Sequence, residues 1–319
     1  MPSLNLLTRR DFSGLALSVV STFALPKLSQ AESDKVSRYK VSHVVSGLSK
    51  PTGLTIDDDV LYFTEVPTPG VPNGLNAVKQ LDLEDKSITT LHMGEPYPIN
   101  IAVGRDGSLY WACLSAGVIL KRDPNGVTTE FITGLPKPSG IAIDRKNTLY
   151  FTEVPTPGVP NGKNGVFSTT DGVTFETLHM GEPEPVEITV ARNGDLYWAC
   201  RSAGVILKRS AADGSVSEFI TGLNKPTGIT IDPKGRTLYY TEVPTPGVSG
   251  ANGGSNKVSK YDLRTGRTSL VHFGDPQPNA VAVAGDGTVY WTCTSAGVIL
   301  KARPVRSDED EDEDEDEDN

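Results

Sequence analysis

Two short sequences alternate three times along the chain, and this repetition constrains the fold more than any other feature. The first sequence occurs as LYFTEVPTPGVPNG at 61–74, LYFTEVPTPGVPNG at 149–162 and LYYTEVPTPGVSG at 238–250. The second occurs as LYWACLSAGVILKR at 109–122, LYWACRSAGVILKR at 196–209 and VYWTCTSAGVILKA at 289–302. Because the two sequences alternate, the chain consists of three copies of one double unit.

Each half-unit has the pattern of four short β-strands. An alternating apolar segment follows a proline in every half-unit: GLTID (53–57), NIAVG (100–104), GIAID (140–144), EITVA (187–191), GITID (228–232) and AVAVA (280–284). A turn comes next, then the LYFTE or LYWAC segment, then two further alternating segments. Period-two alternation with β-branched and aromatic residues indicates strands. Four strands in roughly 40–47 residues, repeated, are typical of a β-propeller blade.

The ends of the repeat region predict how the ring of blades closes. The sixth half-unit stops after its third strand, VILKA at 298–302. The missing fourth strand is supplied by YKVSHVVSGLSKPTG at 39–53, which aligns with TTEFITGLPKPSG at 128–140. We therefore predict an all-β, six-bladed β-propeller of three double-blade repeats, whose last blade is closed by an N-terminal strand at residues 38–46. Such closure leaves no long unpaired strand edge.

The two ends of the chain differ in composition from the repeats. Residues 8–31 read TRRDFSGLALSVVSTFALPKLSQA, in which paired arginines precede an apolar run and a small-residue cleavage site. This pattern resembles a twin-arginine export signal, so we expect an exported, periplasmic or extracellular protein. An ordinary secretory signal or an uncleaved anchor is the alternative. We predict an export signal at 1–31, the propeller at 32–306 and a disordered acidic tail at 307–319.

Charge and hydropathy narrow the classes of partner. The formal net charge is −10, but residues 308–318 are all acidic, so the remainder has 30 − 29 = +1. A nearly neutral body does not predict a nucleic-acid-binding protein. No apolar stretch beyond the N-terminal one approaches membrane-spanning length, so we expect a protein that is not embedded in a membrane. A monomer is expected.

The repeats also resemble known families. The pattern P-x-G-I-x-[ILV]-D followed by LY-x-T-[ED] resembles the NHL and SMP-30/gluconolactonase group of six-bladed propellers. The LYFTE strand, with EFITG and a following proline, is similar to the W-F-T-E blades of virginiamycin B lyase-type proteins, which are seven-bladed. The resemblance covers nearly all of residues 38–302. It implies a propeller, whereas activity on such a scaffold depends on individual loop residues.

The resemblance implies where a site would lie. In these families the functional face collects the loops that enter the first strand and leave the second, where acidic or amide residues hold a divalent cation above the axis. The implied ligand-binding residues here are Glu65, Glu153, Glu242, Asn100, Glu187 and Asn279. The implied metal ligands among them are Glu65, Glu153, Glu242 and Asn279, and the implied cofactor is one divalent cation (Ca, Mg or Zn). Alternatively, the three strand-end glutamates accept hydrogen bonds from loop amides.

Three further residue types recur once in each double unit. The histidines at the ends of fourth strands are candidate general bases near neutral pH, with a solvated or loop-capping role as the alternative: His92, His179 and His272. The cysteines are expected to be buried and too far apart for a disulfide or a shared metal: Cys113, Cys200 and Cys293. The tryptophans are expected to pack between blades: Trp111, Trp198 and Trp291.

Two functions remain open at this point. The first is an exported propeller that binds a small-molecule ligand or a protein partner on the face formed by the TEVPTPG loops and the proline-entrance loops. The alternative is an SMP-30- or lyase-like metal-dependent enzyme acting on a lactone, ester or ether-like substrate. The catalytic histidine of the lyase pattern, directly after an entrance proline, has no counterpart here, which favours the first. Twin-arginine export, used by many cofactor-loaded enzymes, favours the second.

Overall fold

The computed structural model describes residues 39–66, 76–94, 97–154, 164–181, 184–243, 256–275 and 277–305. These residues form six antiparallel four-stranded sheets arranged as a propeller and contain no helix. The prediction of an all-β, six-bladed propeller is therefore confirmed. The predicted export signal, the acidic tail and most of each TEVPTPG loop lie outside the described residues.

Blades 1 to 3 follow one another along the chain. Blade 1 contains β2 (Pro51–Asp57), β3 (Val60–Glu65), β4 (Ala77–Asp82) and β5 (Ile88–Met93). Blade 2 contains β6 (Pro98–Val103), β7 (Leu109–Cys113), β8 (Val118–Arg122) and β9 (Thr128–Ile132). Blade 3 contains β10 (Pro138–Ile143), β11 (Leu149–Glu153), β12 (Gly165–Thr169) and β13 (Glu176–Met180).

Blades 4 to 6 repeat the same order until the last strand. Blade 4 contains β14 (Pro185–Val190), β15 (Leu196–Cys200), β16 (Val205–Arg209) and β17 (Val216–Ile220). Blade 5 contains β18 (Pro226–Ile231), β19 (Thr237–Glu242), β20 (Lys257–Asp262) and β21 (Thr268–Phe273). Blade 6 contains β22 (Pro278–Val283), β23 (Val289–Cys293), β24 (Val298–Pro304) and, from the other end of the chain, β1 (Tyr39–Val45).

Blade 6 closes the ring as predicted. Strand β1 pairs antiparallel with β24, with Tyr39 opposite Pro304. The joint between blades 6 and 1 carries two side-chain hydrogen bonds: the Thr292 hydroxyl donates to Thr52 O at 2.9 Å, and the Thr294 hydroxyl donates to Pro51 O at 2.8 Å. The other LYWAC strands have alanine at the position of Thr292. These polar contacts join blade 6 to blade 1, in addition to the short chain segment that runs from β1 to β2.

The hydrophobic core lies between neighbouring blades. Trp111 on β7 is fully buried and belongs to one cluster with Val78 of blade 1 and Ile101 of blade 2. Trp198 and Trp291 occupy equivalent clusters further round the ring. The prediction that the tryptophans pack between blades is confirmed. Because each blade buries its faces against its neighbours, the first strands are held side by side around the axis.

Glycine allows the first strands to approach closely. A Cβ atom built on Gly140 would lie 2.4 Å from Val186 O and 2.7 Å from the Cα of Glu187. Both contacts are shorter than van der Waals separations, and both involve backbone that cannot move aside independently. The entrance of blade 3 therefore presses directly on the entrance of blade 4, and this contact fixes the position of Glu187.

Within the described ranges, no helix has the length and apolar character needed to cross a membrane.

Candidate functional site

The loops that enter the first strands and leave the second strands meet on one face of the ring, here called the upper face. In each blade, the residue after the second strand donates its backbone N–H to the carbonyl of the residue before the entrance proline. Examples are Leu114 N to Tyr97 O at 3.1 Å and Arg201 N to Glu184 O at 3.0 Å. Tyr97 and Glu184 adopt left-handed backbone conformations, with φ of 63° and 53°. These bonds hold both loops at the mouth of the axis.

A cavity of about 260 Å³ opens at this mouth. A second cavity of about 160 Å³ lies between the first strands. Asn100 on β6 and Glu187 on β14 border both cavities. These two side chains therefore separate the upper cavity from the lower one, and they are called the axial floor below.

Hydrogen bonds connect the axial floor to four blades. Asn100 Nδ2 donates to Glu187 Oε1 at 2.8 Å, which joins blade 2 to blade 4. Asn100 Oδ1 accepts from the N–H of Ile141 in blade 3 at 3.1 Å, and Glu187 Oε2 accepts from the N–H of Ile229 in blade 5 at 2.9 Å. The amide orientation of Asn100 follows from these partners, because its oxygen faces a donor and its nitrogen faces an acceptor.

Burial makes the Glu187 carboxyl a weak acid. Desolvation raises the pKa of Glu187 to about 8, although hydrogen bonds from Ile229 N and Asn100 act in the opposite direction. The side chain keeps intermediate exposure to the cavities, but protein surrounds it in the centre of the ring. At neutral pH the carboxyl mainly keeps its proton, so it can donate a hydrogen bond as well as accept one.

The floor breaks the symmetry of the repeats. Two residues after the entrance proline, the odd-numbered blades all have glycine, whereas the even-numbered blades have Asn100, Glu187 and Ala280. Elsewhere in the same half-units the copies agree closely, as in the shared SAGVILK sequence. All three even-numbered blades make equivalent strands, so the fold accepts any of these three residues at the axial position.

The wall of the upper cavity diverges in the same way. The position after each LYWAC-type strand holds Leu114, Arg201 or Thr294, and the position before the entrance proline of the same blades holds Tyr97, Glu184 or Gln277. All six residues line the cavity. Sequence reasoning missed them because it followed residues that the copies share. A comparison of the three copies for differences would have found them.

The strand-end glutamates lie in a different setting. Glu65 is almost completely buried, accepts a hydrogen bond from Ser49 N at 2.7 Å and forms an ion pair with Lys79. Glu242 accepts from Asn224 N at 2.7 Å, and its other oxygen lies 3.0 Å from Lys257 Nζ.

Glu153 is equally buried at the equivalent position of blade 3. For Glu65 and Glu242, the contacts match the interpretation in which the glutamates fix the loops. None of the three glutamates lines the upper cavity, whereas Asn100, Glu187 and Asn279 do.

The histidines pack against the tryptophans that recur in the next blade of each double unit. The ring centroids are 5.3 Å apart for His92 and Trp111, 5.8 Å for His179 and Trp198, and 5.7 Å for His272 and Trp291. Asp275 accepts from Trp291 Nε1 at 2.8 Å and lies 3.2 Å from His272 Nε2. The histidines thus belong to the joints between blades and do not line the upper cavity.

The cysteines lie inside the blades. All three are buried, as predicted: Cys113, Cys200 and Cys293. Burial, with the negative charge of Asp275 nearby, raises the pKa of the Cys293 thiol far above its usual range. A thiol with a raised pKa is a poor nucleophile and a poor metal ligand.

The donor set of the axial floor does not fit a divalent cation. Calcium takes six to eight oxygen ligands, and magnesium requires an octahedron of them. Asn100 turns its nitrogen, not its oxygen, towards Glu187, and the Glu187 carboxyl mainly keeps its proton at neutral pH. Among the described residues, no group of three or more His, Cys, Asp or Glu side chains is placed to hold a metal ion. A cation near the axis, with Glu65, Glu153, Glu242 and Asn279 as ligands, stays a prediction.

The fold and the upper cavity define a six-bladed β-propeller with an asymmetric axial site, and comparisons place it among known propellers. No family model matches the chain. Virginiamycin B lyase of Nocardia farcinica is 26% identical over 167 residues, which is 52% of this chain and 52% of the lyase, so the match spans about half of that relative.

Solved structures share the fold over most of the chain. Virginiamycin B lyase from Staphylococcus aureus has a TM-score of 0.58 at 17% identity, covering 84% of this chain and 100% of the lyase. A calcium-binding regucalcin from Agrobacterium tumefaciens, of the SMP-30 type, has a TM-score of 0.64 at 15% identity, covering 85% of this chain and 97% of regucalcin. At these identities the likeness concerns the fold.

Proposed function

We propose that this protein is an exported propeller that binds a small molecule in the upper cavity, with the axial floor recognising the ligand. One observation carries the proposal. The three copies differ at the floor and at the cavity wall, where Asn100, Glu187 and Ala280 replace one another, although they agree at the positions that build the blades. Loops and pockets on a rigid scaffold are where binding residues accumulate.

The dimensions and lining of the cavity support a small ligand. Its volume of about 260 Å³ is just below the ~300–1,000 Å³ of drug-sized pockets. Apolar side chains such as Ile99, Val186 and Val243 share the lining with the polar groups of the floor. A mixed lining with a few convergent polar groups is typical of small-molecule sites. The alternative of a protein partner depends on the TEVPTPG loops, and most of each of these loops lies outside the described residues.

A ligand screen tests this function. Differential scanning fluorimetry with small lactones, esters, amides and carboxylates should reveal compounds that raise the melting temperature, because a ligand that binds only the native state stabilises it. Asn279→Trp should abolish the shifts by filling the cavity from its wall. Val127→Trp, at an exposed position on the lower face, should keep them. The proposal fails if no compound shifts the melting temperature, or if the Asn279→Trp variant responds like the wild type.

A second candidate is an enzyme acting on lactone, ester or ether-like substrates. It is favoured by Glu187, a carboxyl with a pKa of about 8 that borders a cavity and is suited to general acid–base chemistry near neutral pH. Similarity to a lyase adds support at the level of fold. The metal-dependent form of this candidate requires cation ligands that the floor, as built, does not offer.

Product formation separates the two candidates. Turnover of any ester or lactone, measured by NMR, that disappears in a folded Glu187→Gln variant would establish the enzyme. If ligands bind and no product forms, the protein is a binding protein and the enzyme candidate is excluded.

The export part of the proposal is supported by residues 8–31 alone. Replacing both Arg9 and Arg10 by lysine should retain the protein in the cytoplasm if the twin-arginine pathway carries it. Fractionation of cells that produce the wild type and the double variant provides the measurement. Equal export of both proteins would contradict this route, and cytoplasmic wild-type protein would contradict export.

A further inference from the structure

Arg201 is the single cationic side chain among the described residues that line the upper cavity. Its side chain is 30% exposed, so most of its length is packed into the wall. The guanidinium of an arginine has five N–H donors in a planar fork that matches a carboxylate. An arginine in a cavity wall can therefore donate hydrogen bonds to an anionic group inside the cavity.

The contacts of the described residues leave that fork open. Among the described residues, Glu184 forms an ion pair with Arg201, but its Oε1 lies 3.7 Å from Arg201 Nη1, which is beyond hydrogen-bonding distance. The other carboxylate oxygen of Glu184 accepts instead from the Ser202 hydroxyl. Glu184 thus lowers the local positive charge without occupying the donors of the guanidinium. A planar anion at the cavity could accept two of these donors at once.

The copies show that the fold does not need this arginine. Leu114 and Thr294 occupy the equivalent positions of blades 2 and 6, and all three blades have the same strands and the same loop hydrogen bond. The charge is therefore specific to one side of the cavity. The other polar groups of the cavity, at the floor, are uncharged amide and carboxyl groups at neutral pH or slightly below.

We propose that the upper cavity selects a small organic carboxylate, whose anionic group binds the Arg201 guanidinium while its uncharged end faces Asn100 and Glu187. This inference rests on the proposed function, because it specifies the ligand class of the same cavity. Arg201 is a specificity-determining residue in this arrangement. A ligand of this kind has its charge at the wall and its hydrogen-bonding or apolar part inside.

Matched carboxylate and amide probes test the selectivity. Isothermal titration calorimetry would compare lactate with lactamide, 3-hydroxybutyrate with 3-hydroxybutyramide, and benzoate with benzamide. We expect at least one carboxylate to bind at least tenfold more tightly than its amide, a difference of about 1.4 kcal/mol. The preference should weaken as salt is raised, because the arginine is partly exposed.

Two variants with the same charge change complete the test. Arg201→Leu introduces the residue that blade 2 already has, so it should fold normally and lose the carboxylate preference. Arg145→Leu removes an exposed arginine from the turn between β10 and β11 and should keep the preference.

The outcomes distinguish failure of the carboxylate inference from failure of the proposed binding function. Equal binding of acids and amides, tighter binding of amides, or an Arg201→Leu variant that still prefers the acid overturns this inference but leaves the proposed binding function intact. If no probe binds the wild type while other screened compounds do, only the inference fails. If nothing binds at all, both fail.

Discussion

The strand-end glutamates and the axial floor lie on the same face of the ring, but the glutamates repeat the same contacts in equivalent places whereas the floor residues differ between copies. Glu65 and Glu242 are the same residue in equivalent places, and each binds a backbone amide and a lysine. Asn100 and Glu187 occupy one repeat position with different residues, and they bind each other across the mouth of the axis. In a chain built by duplication, identity between copies marks the contacts that every blade needs.

Positions at which the copies differ are those that the blades do not share as a structural requirement. Most residues that pack between blades have the same neighbours in each copy, so substituting them is expected to lower stability. The residue at the axis borders the cavity instead. There the three copies have the amide of Asn100, the carboxyl of Glu187 and the methyl group of Ala280. The difference indicates that the scaffold is symmetric whereas the site is not. Substitutions at the two kinds of position should therefore affect different properties.

The largest effect is expected where shared packing is tightest. Gly140→Ala would place a methyl group 2.4 Å from Val186 O, so the blades must separate, and the free energy of unfolding should fall by about 3 kcal/mol. Urea denaturation measures this loss. Gly285→Ala is the matched control, because nothing lies within 4 Å of its Cβ and the cost should be negligible. Equal stability of the two variants would show that the close approach of the first strands is not required.

The next effect concerns a strand-end glutamate. Glu242→Gln removes a buried charge that binds Asn224 N and Lys257, and we expect a loss of about 2 kcal/mol. Glu218→Gln, on an exposed part of β17, should leave stability unchanged. Ligands of the upper cavity should bind the Glu242→Gln variant normally. If the Glu242→Gln variant is fully stable but loses ligand binding, Glu242 belongs to the binding site and not to the scaffold.

The axial floor should instead reveal itself in the pH dependence of stability. Because burial raises the pKa of Glu187 in the folded protein to about 8 from its ordinary value of 4.5, its contribution to stability is fully present below about pH 4.5 and is lost as the pH rises towards 8. The unfolding free energy of the wild type should fall relative to that of Glu187→Gln over this interval, by at most about 1.4 kcal/mol per pH unit. Denaturation at several pH values measures the difference. A difference that does not change with pH would contradict the assignment of a protonated Glu187.

The smallest effect is expected at the joint that closes the ring. Thr292→Ala removes the hydroxyl that donates to Thr52 O, so stability should fall by about 1 kcal/mol. Alanine is tolerated at the same position of blades 2 and 4, which limits the loss to the hydrogen bonds. Thr129→Ala, at an exposed position on β9, serves as the control. No loss at Thr292 would mean that this hydrogen bond does not contribute to closing the ring.

Most of the fold could be predicted because it depends on periodicity. Alternation along each strand, the spacing of the repeats and the alignment of 39–53 with 128–140 were sufficient to predict six blades and the closing strand. The face that carries the functional loops was implied by the resemblance to known propeller families. Alternation does not determine which buried carboxylate meets a lysine and which meets an amide, so Glu65 and Glu187 looked alike as candidates.

The site itself depends on contacts between distant parts of the chain. Asn100 and Glu187 are 87 residues apart, and their hydrogen bond exists only because the first strands of blades 2 and 4 both border the axis. Arg201 carries no motif and differs from its copies, so a search for shared residues passed over it. Its environment becomes visible only when Glu184 and Ser202 are placed beside it.

The central claim is that the axial floor recognises a ligand while the strand-end glutamates build the scaffold. Calorimetric titration of the tightest-binding probe into two variants tests it most directly. Glu187→Ala should weaken binding at least tenfold, because it removes a hydrogen-bonding group worth about 1.4 kcal/mol or more from the floor. Glu65→Gln should bind as the wild type does, since Glu65 does not line the cavity. Unchanged affinity in Glu187→Ala, together with loss of binding in a folded Glu65→Gln, would contradict the claim.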